Sequence, residues 1–344
     1  MSAVEDPGQS RNFSIRRTGG LLLILAGLAV GIAASLAFGS NPLPFHTVWQ
    51  GVLDRGEGTE ASVIVWTLRL PRTIVSLIVG AAFGVAGALI QALTRNPLAD
   101  PGVLGVNAGA GFAVTLGVGL FGVASISGYM WFAFMGASLA TIAVYFIGSK
   151  AGGGATPATL VLAGVALAAV LGGVTHFMTL IDPNTFEAVR TWGLGSVART
   201  DLEETSSVAP FIAAGLVIAL GIAGSLNSIA LGDDLAASLG TKIKQTRTWG
   251  IIAITLLAGG GTALTGGIAF VGLMIPHVVR WFVGPDQRWI IFYSALAAPV
   301  MVLFSDVIGR VIARPSEIEV GIVTAVVGAP VLVALVRRQK ASGL

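Results

Sequence analysis

TRNPLADPGVLGVNAGAG, residues 94–111, is a polar, proline-containing stretch between two long apolar stretches of the chain. Pro97 and Pro101 end a helix, because proline lacks a backbone N–H and disfavours helical geometry in the residue before it. Arg95 favours the membrane surface, and Gly105 and Gly109 allow the next helix to pack closely. The stretch therefore predicts a tight connection between two apolar helices.

The composition indicates that the bilayer is the solvent of this chain. Of its 344 residues, 54% are hydrophobic and 11% are charged, whereas a soluble domain carries about 25% charged residues. It has no cysteine, which excludes disulfides, thiolate metal sites and cysteine nucleophiles. Residues 1–18 are polar and precede an apolar run of full spanning length, so we expect an uncleaved first span rather than a removable signal peptide.

Ten stretches of the sequence are apolar over about the length that a membrane span needs, roughly 20 residues. Lys and Arg are more frequent in the segments on the side of the N-terminus, and such segments face the cytoplasm. We therefore predict an all-α membrane protein with both termini in the cytoplasm and with the turn at residues 94–101 on the cytoplasmic side. The predicted spans are 20–39, 73–94, 102–123, 128–148, 157–181, 208–230, 248–266, 267–284, 289–312 and 320–336.

Generic nucleotide and catalytic motifs are weak or missing. Gly117, Gly119 and Gly122 fit the dinucleotide pattern GxGxxG, but they lie late in an apolar span with no strand before them. The sequence contains no GxxxxGK[ST] motif and no clustered metal ligands, so any ATP hydrolysis would need another chain. Gly80 and Gly84 have the spacing of packed membrane helices. We expect no catalytic residue, no metal site and no nucleic-acid partner.

Four motifs, taken in order along the chain, are specific in combination: RLPR at 69–72, QALTRNPLADPGVLG at 91–105, NSIALGDDLAASLG at 227–240, and GIAFVGLMIPHVVR at 267–280 followed by GPDQR at 284–288. Together they resemble the FecCD family of bacterial ABC importer permeases, whose members carry iron-siderophores, haem and cobalamin. Residues 94–111, 162–170 and 328–338 are most similar to the ferric-enterobactin permeases of that family.

The resemblance implies a type II ABC importer permease of BtuC-like fold in the bacterial cytoplasmic membrane. Residues 1–344 would form one transmembrane domain with a cytoplasmic tail at residues 1–18. Implied partners are membrane lipid, a second homologous permease in a heterodimer or a homodimer, two cytoplasmic ABC ATPases, and a periplasmic or lipid-anchored siderophore-binding protein. No cofactor is implied on this chain, because Mg-ATP belongs to the ATPase and iron enters only as siderophore-bound cargo. The implied cargo is ferric enterobactin or another catecholate, with haem, hydroxamate siderophore and cobalamin as alternatives.

Arg69, Arg72 and Arg310 lie at the predicted outer ends of spans. The resemblance implies that they dock the binding protein through ion pairs, which steer encounter and set register. Snorkelling of the arginines at the membrane interface is the alternative. Asp306 precedes Arg310 by four residues, so both lie on one helical face and we expect an ion pair that orients Arg310.

Two further functions are implied for the cytoplasmic side. Residues 227–245 would contain the coupling helix that contacts the ATPase, although a solvated loop helix is the alternative reading. Asn96 and Leu98 would form part of the cytoplasmic gate, together with their counterparts from the partner subunit. The positions assigned to ATPase coupling are Leu231, Gly232, Leu235, Leu239 and Gly240.

Residues 182–204 form the substantial outer loop, where family members place a short re-entrant helix beside the pathway. Arg190, Trp192 and Ser196 could face an anionic, aromatic ligand, since arginine suits carboxylate or catecholate oxygens and tryptophan offers a flat apolar face. A tryptophan that anchors the chain at the membrane interface is the alternative.

Two positions depart from the family pattern. Glu317-Ile-Glu319 replaces the usual Glu-Leu-Pro and could alter the outer mouth, and Gln287 replaces a histidine, which argues against a proton relay there. An ion-coupled secondary transporter and a non-transporting scaffold are the rival functions. Coupled transporters need ionisable groups near the middle of the membrane, and Asp306 is nearly isolated in the predicted spans.

Overall fold

The computed structural model describes residues 7–54, 58–150 and 156–341, and within them the side chains other than those of residues 7–15, 126 and 335–341. Residues 1–6 of the predicted cytoplasmic tail lie outside the described residues. All regular structure within the described ranges is helical. The helices are α1 (Pro7–Ala37), α2 (Phe45–Leu53), α3 (Glu60–Val63), α4 (Leu70–Thr94), α5 (Val106–Phe121), α6 (Ile126–Lys150), α7 (Pro157–Ile181), α8 (Pro183–Gly193), α9 (Leu202–Ala230), α10 (Asp233–Ser238), α11 (Ile243–Thr265), α12 (Val271–Val283), α13 (Gln287–Ile312) and α14 (Val320–Ala341).

Each of the ten predicted spans coincides with an apolar helix in the described part of the chain. Seven of these helices are long and apolar enough to cross a membrane, and three are shorter: Val106–Phe121, Val271–Val283 and the Val320–Ala334 part of α14. The prediction of an all-α protein with about ten membrane helices is therefore confirmed. The chain is a multi-pass membrane protein.

The second span begins earlier than predicted, because the chain is already helical from Glu60. A π-helical segment, Ile64–Arg69, joins α3 to α4 immediately before Pro71. A proline ring clashes with the carbonyl group four residues earlier in a regular α-helix, and the residue at that distance from Pro71, Thr67, lies within the π-helical segment. Arg69 and Arg72 consequently lie inside a continuous helical run instead of in front of a span.

Helix α4 is the central element of the bundle. Of the 18 most apolar consecutive residues of the span Glu60–Thr94, 78% are buried, against 17% in the spans Arg16–Ala37 and Pro157–Ile181. Glycines let neighbouring backbones approach it closely: a Cβ at Gly80 would lie 2.6 Å from the Cα of Pro299 in α13, and one at Gly87 would overlap the Gly272 carbonyl of α12. A Cβ at Gly84 would likewise lie 2.5 Å from the Cβ of Ala298, so the predicted packing role of Gly80 and Gly84 is confirmed.

The connection at residues 94–111 is a tight turn, as predicted. The third span of the chain starts at Val106, however, instead of at residue 102. Residues Pro101–Leu104 form a 3₁₀ turn. The Asp100 side chain caps its start by accepting a 2.8 Å hydrogen bond from the Gly102 N–H. Gly105 ends this turn with a φ of 78°, a left-handed conformation that glycine adopts without strain. Its role is thus conformational, whereas Gly109 does provide the expected close packing, against Gly136 of α6.

The eighth span also begins later than predicted, at Val271 instead of residue 267. The chain changes direction at Gly266, where φ is 72°, and again at Phe270, where φ is 68°. Helices α8 and α10 connect spans at opposite ends of the bundle. We call these the α8 end, where α7 finishes and α9 begins, and the α10 end, where α9 finishes and α11 begins.

Candidate functional site

A cavity of about 670 Å³ lies at the α8 end of the bundle. It is bounded by the end of α5, the start of α6, helix α8 and the end of α11, so four separate parts of the sequence meet around it. A cavity of this size falls within the range of small-molecule and cofactor sites, about 300–1,000 Å³. It is the candidate binding region of the chain.

Helix α8 forms one wall because its N-terminus is strongly capped. Asp182 ends α7 and accepts hydrogen bonds from the N–H groups of Asn184 and Thr185, at 3.2 and 3.1 Å, while Pro183 occupies the first helical turn. The hydroxyl group of Thr185 and these backbone donors hold the pKa of the Asp182 carboxyl below its ordinary value. The cavity wall therefore keeps a negative charge at neutral pH.

The structure brings together two of the three residues predicted to face the pathway. Trp192 and Ser196 line the cavity, but Arg190 does not. The Arg190 guanidinium instead lies 2.7 Å from Glu187 and is more than half exposed. Within the part of the chain that the structure describes, the indole Nε1 of Trp192 has no hydrogen-bond partner and is shielded from solvent, so a ligand oxygen would reach its N–H only after a small movement of the cavity wall. A role of the three residues in transport stays a prediction.

Arg199 is the cation that does line the cavity, and the sequence reasoning missed it. Its Nη1 donates to the Thr191 carbonyl at 2.9 Å, and its Nη2 lies 2.6 Å from Glu319 Oε1. Glu319 occupies the position at which the sequence departs from the family's usual proline. That departure was a signal that an extra carboxylate faces the α8 end, but it did not indicate which cation it pairs with.

The backbone beside Ser196 is fixed by contacts between distant parts of the chain. Ser196 N–H donates to the Thr265 carbonyl at 2.7 Å, and Gly321 N–H donates to the Gly195 carbonyl at 3.0 Å. The Thr200 hydroxyl group donates to the Leu264 carbonyl. The loop between α8 and α9 is thereby attached to the end of α11 and the start of α14, so a movement of the cavity wall would be coupled to these helices.

Arg69 and Arg310 lie at the α8 end but are buried, with exposed fractions of 3% and 1%. Both guanidinium groups donate to carbonyl groups that end α1 or follow it, which satisfies groups that a helix C-terminus leaves unpaired. Arg69 and Arg310 would meet a docked partner only if these contacts opened. The acceptors are the Leu36, Ala37 and Asn41 carbonyls for Arg69, and the Ser35 and Phe38 carbonyls for Arg310.

Arg72 joins these two arginines to a pair of carboxylates. Its Nη2 lies 2.7 Å from Asp306 Oδ1 and its Nη1 lies 2.8 Å from Glu317 Oε2. Asp306 Oδ2 lies 2.6 Å from Arg310 Nη2, in an ion pair whose angle does not meet the geometry of a hydrogen bond. The predicted ion pair between Asp306 and Arg310 is confirmed. Docking of a binding protein on the three arginines stays a prediction.

At the α10 end, the two residues predicted for the gate lie in the turn after α4. Asn96 and Leu98 are both exposed, and the Asn96 side chain accepts a 2.9 Å hydrogen bond from the Leu98 N–H. This local bond fixes the turn, and it leaves the Leu98 side chain 43% exposed. The arrangement is compatible with a gate, and that function stays a prediction.

The coupling region contains the predicted short helix, α10. Leu231, Leu235 and Leu239 recur every four residues and are 60%, 53% and 62% exposed, so they form an apolar surface that the described chain does not cover. Gly232 and Gly240 flank the helix with φ values of 106° and 80°. Exposed leucines on a short helix suit contact with another protein, and contact with an ATPase stays a prediction.

The sequence and the fold are similar to known transport proteins over almost their whole length. The profile of the FecCD transport family matches residues 25–338. The ferric enterobactin transport system permease protein FepD of Escherichia coli (strain K12) is 46% identical over 325 residues, which cover 94% of this chain and 96% of that protein. The probable siderophore transport system permease protein YfiZ of Bacillus subtilis (strain 168) is 36% identical, over 92% of this chain and 95% of that protein.

A solved structure shows the same fold. The inward-facing conformation of a metal-chelate type ABC transporter superposes with a TM-score of 0.81 and 26% sequence identity, covering 93% of this chain and 99% of that one. The similarity therefore includes the helix order and both ends of the bundle described above. The chain belongs to the FecCD transport family.

Proposed function

We propose that this chain is the membrane-spanning permease subunit of an ATP-binding cassette importer that carries an iron-siderophore complex into the bacterial cytoplasm. The observation that carries the proposal is the 46% identity to the ferric enterobactin permease across 94% of the chain. Ferric enterobactin or another catecholate chelate is accordingly the proposed cargo. Haem, hydroxamate siderophores and cobalamin are the cargoes against which this choice is to be tested.

The proposed assembly contains two permeases, two cytoplasmic ABC ATPases and a siderophore-binding protein outside the membrane. The second permease is a related but distinct chain, so that the pair is a heterodimer. Mg-ATP is bound and hydrolysed by the ATPases, and this chain holds neither a catalytic residue nor a cofactor of its own. Iron reaches it only within the cargo.

The proposed orientation places both termini in the cytoplasm, with residues 1–344 as one transmembrane domain of the bacterial inner membrane. The excess of Lys and Arg on the side of the N-terminus supports this orientation. The α10 end then faces the ATPases, and the α8 end faces the binding protein. The cavity beside α8 would be the first part of this subunit to receive the cargo.

The chemistry of that cavity suits a catecholate chelate. The Trp192 ring supplies a flat apolar face, its unpaired indole N–H would donate to a ligand oxygen once the cavity wall moves aside, and Arg199 supplies a cation. Because Arg199 already pairs with Glu319 and Asp182 is charged, the cavity would not hold an anion tightly. Weak binding suits a pathway whose soluble partner selects the cargo and whose alternating access must release it.

Uptake by the reconstituted importer tests the proposal. Proteoliposomes that contain the permease pair and the ATPase, with the binding protein outside, should accumulate radioactive iron from ferric enterobactin only when Mg-ATP is supplied at the ATPase side. Vanadate should stop the uptake. Haem, a ferric hydroxamate and cobalamin, offered with their own binding proteins, serve as competing cargoes.

The rival secondary transporter makes the opposite prediction, namely uptake driven by an ion gradient in the absence of any ATPase. The surroundings of Asp306 favour the importer, since both oxygens of this carboxylate contact arginines and it thus belongs to a structural ion-pair cluster instead of standing alone in the span. Uptake without the ATPase would contradict the proposed function.

A further inference from the structure

One carboxylate at the α10 end links three different elements. Asp233 is the first residue of α10, and its Oδ1 accepts a 2.9 Å hydrogen bond from Arg95 Nη2. Its Oδ2 accepts a 2.9 Å hydrogen bond from Arg247 Nη2. Arg95 is the residue that ends α4, and Arg247 lies in the second turn of α11. The Asp233 carboxylate therefore links α10 with both α4 and α11.

The Arg95 side of this link is continuous with the turn that holds Asn96 and Leu98. Arg95 has a φ of 50°, and its N–H and that of Asn96 donate to the last carbonyl groups of α4, including Gln91. Gln91 is itself buried and accepts a 2.9 Å hydrogen bond from Arg280 of α12. The Arg95 side chain and the turn at residues 96–98 therefore share one short backbone segment, through which a displacement of Asp233 would reach the turn.

The Asp233 side of the link belongs to a short, compact unit. Helix α10 runs between two glycines with positive φ, Gly232 and Gly240. Its Ala236 is fully buried and packs against the bundle. Its exposed leucines at 231, 235 and 239 form the surface on which a partner would press. Pressure on that surface would displace Asp233 together with the helix.

Surface ion pairs contribute little to stability on their own, and the side chains of Arg95 and Asp233 are 37% and 39% exposed. What distinguishes this pair is its position. The two cations share one carboxylate, since Arg247 Nη2 also donates to Asp233 Oδ1 at 3.2 Å, and Arg247 is only 16% exposed. Arg247 therefore keeps Asp233 within reach of Arg95.

We propose that Asp233 is a positioning residue that transmits movement of α10 to the turn at residues 95–98. The proposal rests on the proposed function, because it requires an ATPase that presses on α10 and a turn that takes part in opening the inner mouth. Loss of the Asp233 carboxylate should leave the contact between the ATPase and the leucines of α10 intact. The turn at residues 95–98 would then no longer move when α10 moves. ATP hydrolysis would then continue with less transport.

The test compares Asp233→Asn with Asp234→Asn in the complete reconstituted importer. Asp234 is the next residue, is exposed, and forms no ion pair with the described residues, so its substitution removes the same charge without removing the link. We expect Asp233→Asn to lower the number of cargo molecules transported per ATP by about threefold or more, with ATP hydrolysis and co-purification of the ATPase close to wild type. Asp234→Asn should retain the wild-type ratio.

A double substitution examines whether Asp233 acts through Arg95. Arg95→Gln should reproduce the loss, and Arg95→Gln combined with Asp233→Asn should be no worse than either alone, because one link is broken in all three. Additive losses would overturn the proposal, as would a wild-type transport ratio in Asp233→Asn.

A second readout follows the turn itself. The chain has no cysteine, so Leu98→Cys provides a single thiol whose rate of modification by a maleimide reports exposure of the turn. ATP with vanadate should change that rate in the Leu98→Cys protein and in its Asp234→Asn derivative, but not in its Asp233→Asn derivative. An equal change in all three would overturn the proposal.

Failure of this inference can be separated from failure of the proposed function. If the wild-type complex shows no ATP-driven uptake, the proposed function fails and the inference fails with it. If wild-type uptake is driven by ATP and Asp233→Asn behaves like Asp234→Asn, the inference alone is wrong.

Discussion

Arg199 Nη2 and Glu319 Oε1 lie 2.6 Å apart, and this ion pair connects the cavity wall to the start of α14 across 120 positions of sequence. The Arg199 side chain is 34% exposed and that of Glu319 is 21% exposed, so water screens the pair only in part. The Glu319 carboxylate also partly neutralises Arg199, the cation that faces the cavity. The pair therefore affects both the stability of the α8 end and the charge offered to a ligand.

A double-mutant cycle should detect this pair as a stabilising contact. Arg199→Ala, Glu319→Ala and the double variant should give a coupling energy up to about 1 kcal/mol, the upper range for ion pairs that are partly exposed. Thermal or chemical unfolding in detergent measures it. The more exposed pair of Glu187 and Arg190 provides the matched control, for which we expect about 0.3 kcal/mol. Equal coupling energies for both pairs would contradict the prediction.

Glu317 should make the stability of the α8 end depend on pH. Partial burial acts to raise the pKa of the Glu317 carboxyl, but the Arg72 guanidinium and the hydrogen bond from Ser40 outweigh it and hold the pKa below its ordinary value. The charged form is thus favoured in the folded protein. Its stabilisation is complete above the ordinary glutamate pKa, about 4.3, and is lost as the pH falls through the lowered value.

The measurement compares the melting temperatures of wild type and Glu317→Gln between pH 7 and pH 3. Wild type should be the more stable of the two at pH 7, and the difference should shrink once the pH falls below about 4. Glu203→Gln, at an exposed acid in the first turn of α9, is the control and should show a smaller difference. A difference for Glu317→Gln that is constant over the whole range would refute the ion pair with Arg72.

Gly87→Ala should destabilise the bundle severely. The added methyl group would overlap the carbonyl group of Gly272, which is backbone and cannot turn aside, so α4 and α12 must separate. Overpacking of this kind costs about 1–3 kcal/mol, and more where the backbone must shift. Gly221→Ala in α9 is the control, since nothing lies within 4 Å of its Cβ position. Yield of monodisperse protein and melting temperature should fall for Gly87→Ala alone of the two variants.

Trp192→Phe tests the unpartnered indole N–H in the cavity. The change keeps an aromatic ring and removes the donor, so folding should be unaffected, while uptake of a catecholate chelate at low concentration should fall about fivefold, the equivalent of one hydrogen bond of about 1 kcal/mol. Trp249→Phe, at the start of α11 and far along the helix from the cavity, is the control. Full activity of Trp192→Phe would leave the tryptophan as an interface anchor.

Asn96→Ala and Leu98→Ala test the predicted gate. The first removes the hydrogen bond to the Leu98 N–H and the second removes the exposed apolar side chain. Assembly with the partner chains should survive both substitutions, because neither side chain is buried. Cargo leak through the complex, or ATPase activity that depends on transport, should change. Wild-type behaviour of both variants in both assays would reduce the stretch to a simple turn.

The membrane spans could be predicted from the sequence because a span requires apolar composition over a known length. Their ends were less predictable where tertiary contacts decide them. The helical run from Glu60 contains a π-helical segment before Pro71, and α12 starts only after two positive-φ positions, Gly266 and Phe270, the first of which packs closely on the Trp192 carbonyl. Composition contains neither fact.

The cavity was predictable in part for a related reason. The loop at residues 182–204 was identified, and Trp192 and Ser196 do line a cavity, but sequence alone does not give the rotation of α8 about its axis. In the structure Arg190 pairs with Glu187, which lines the cavity, while Arg190 itself does not line it. Arg199 was missed because its partner Glu319 is distant in sequence, and no local pattern indicates such a pair.

The distance along the chain between Arg72 and Asp306 has a consequence for biosynthesis. The two residues are 234 positions apart, so at about 5–20 residues per second the ribosome needs roughly ten to fifty seconds to make the acid after the arginine. During that interval Arg72 of α4 has no acid from α13 to neutralise it. Its place near one end of the helix lets it reach the headgroup region, where the nascent helix can wait until α13 arrives.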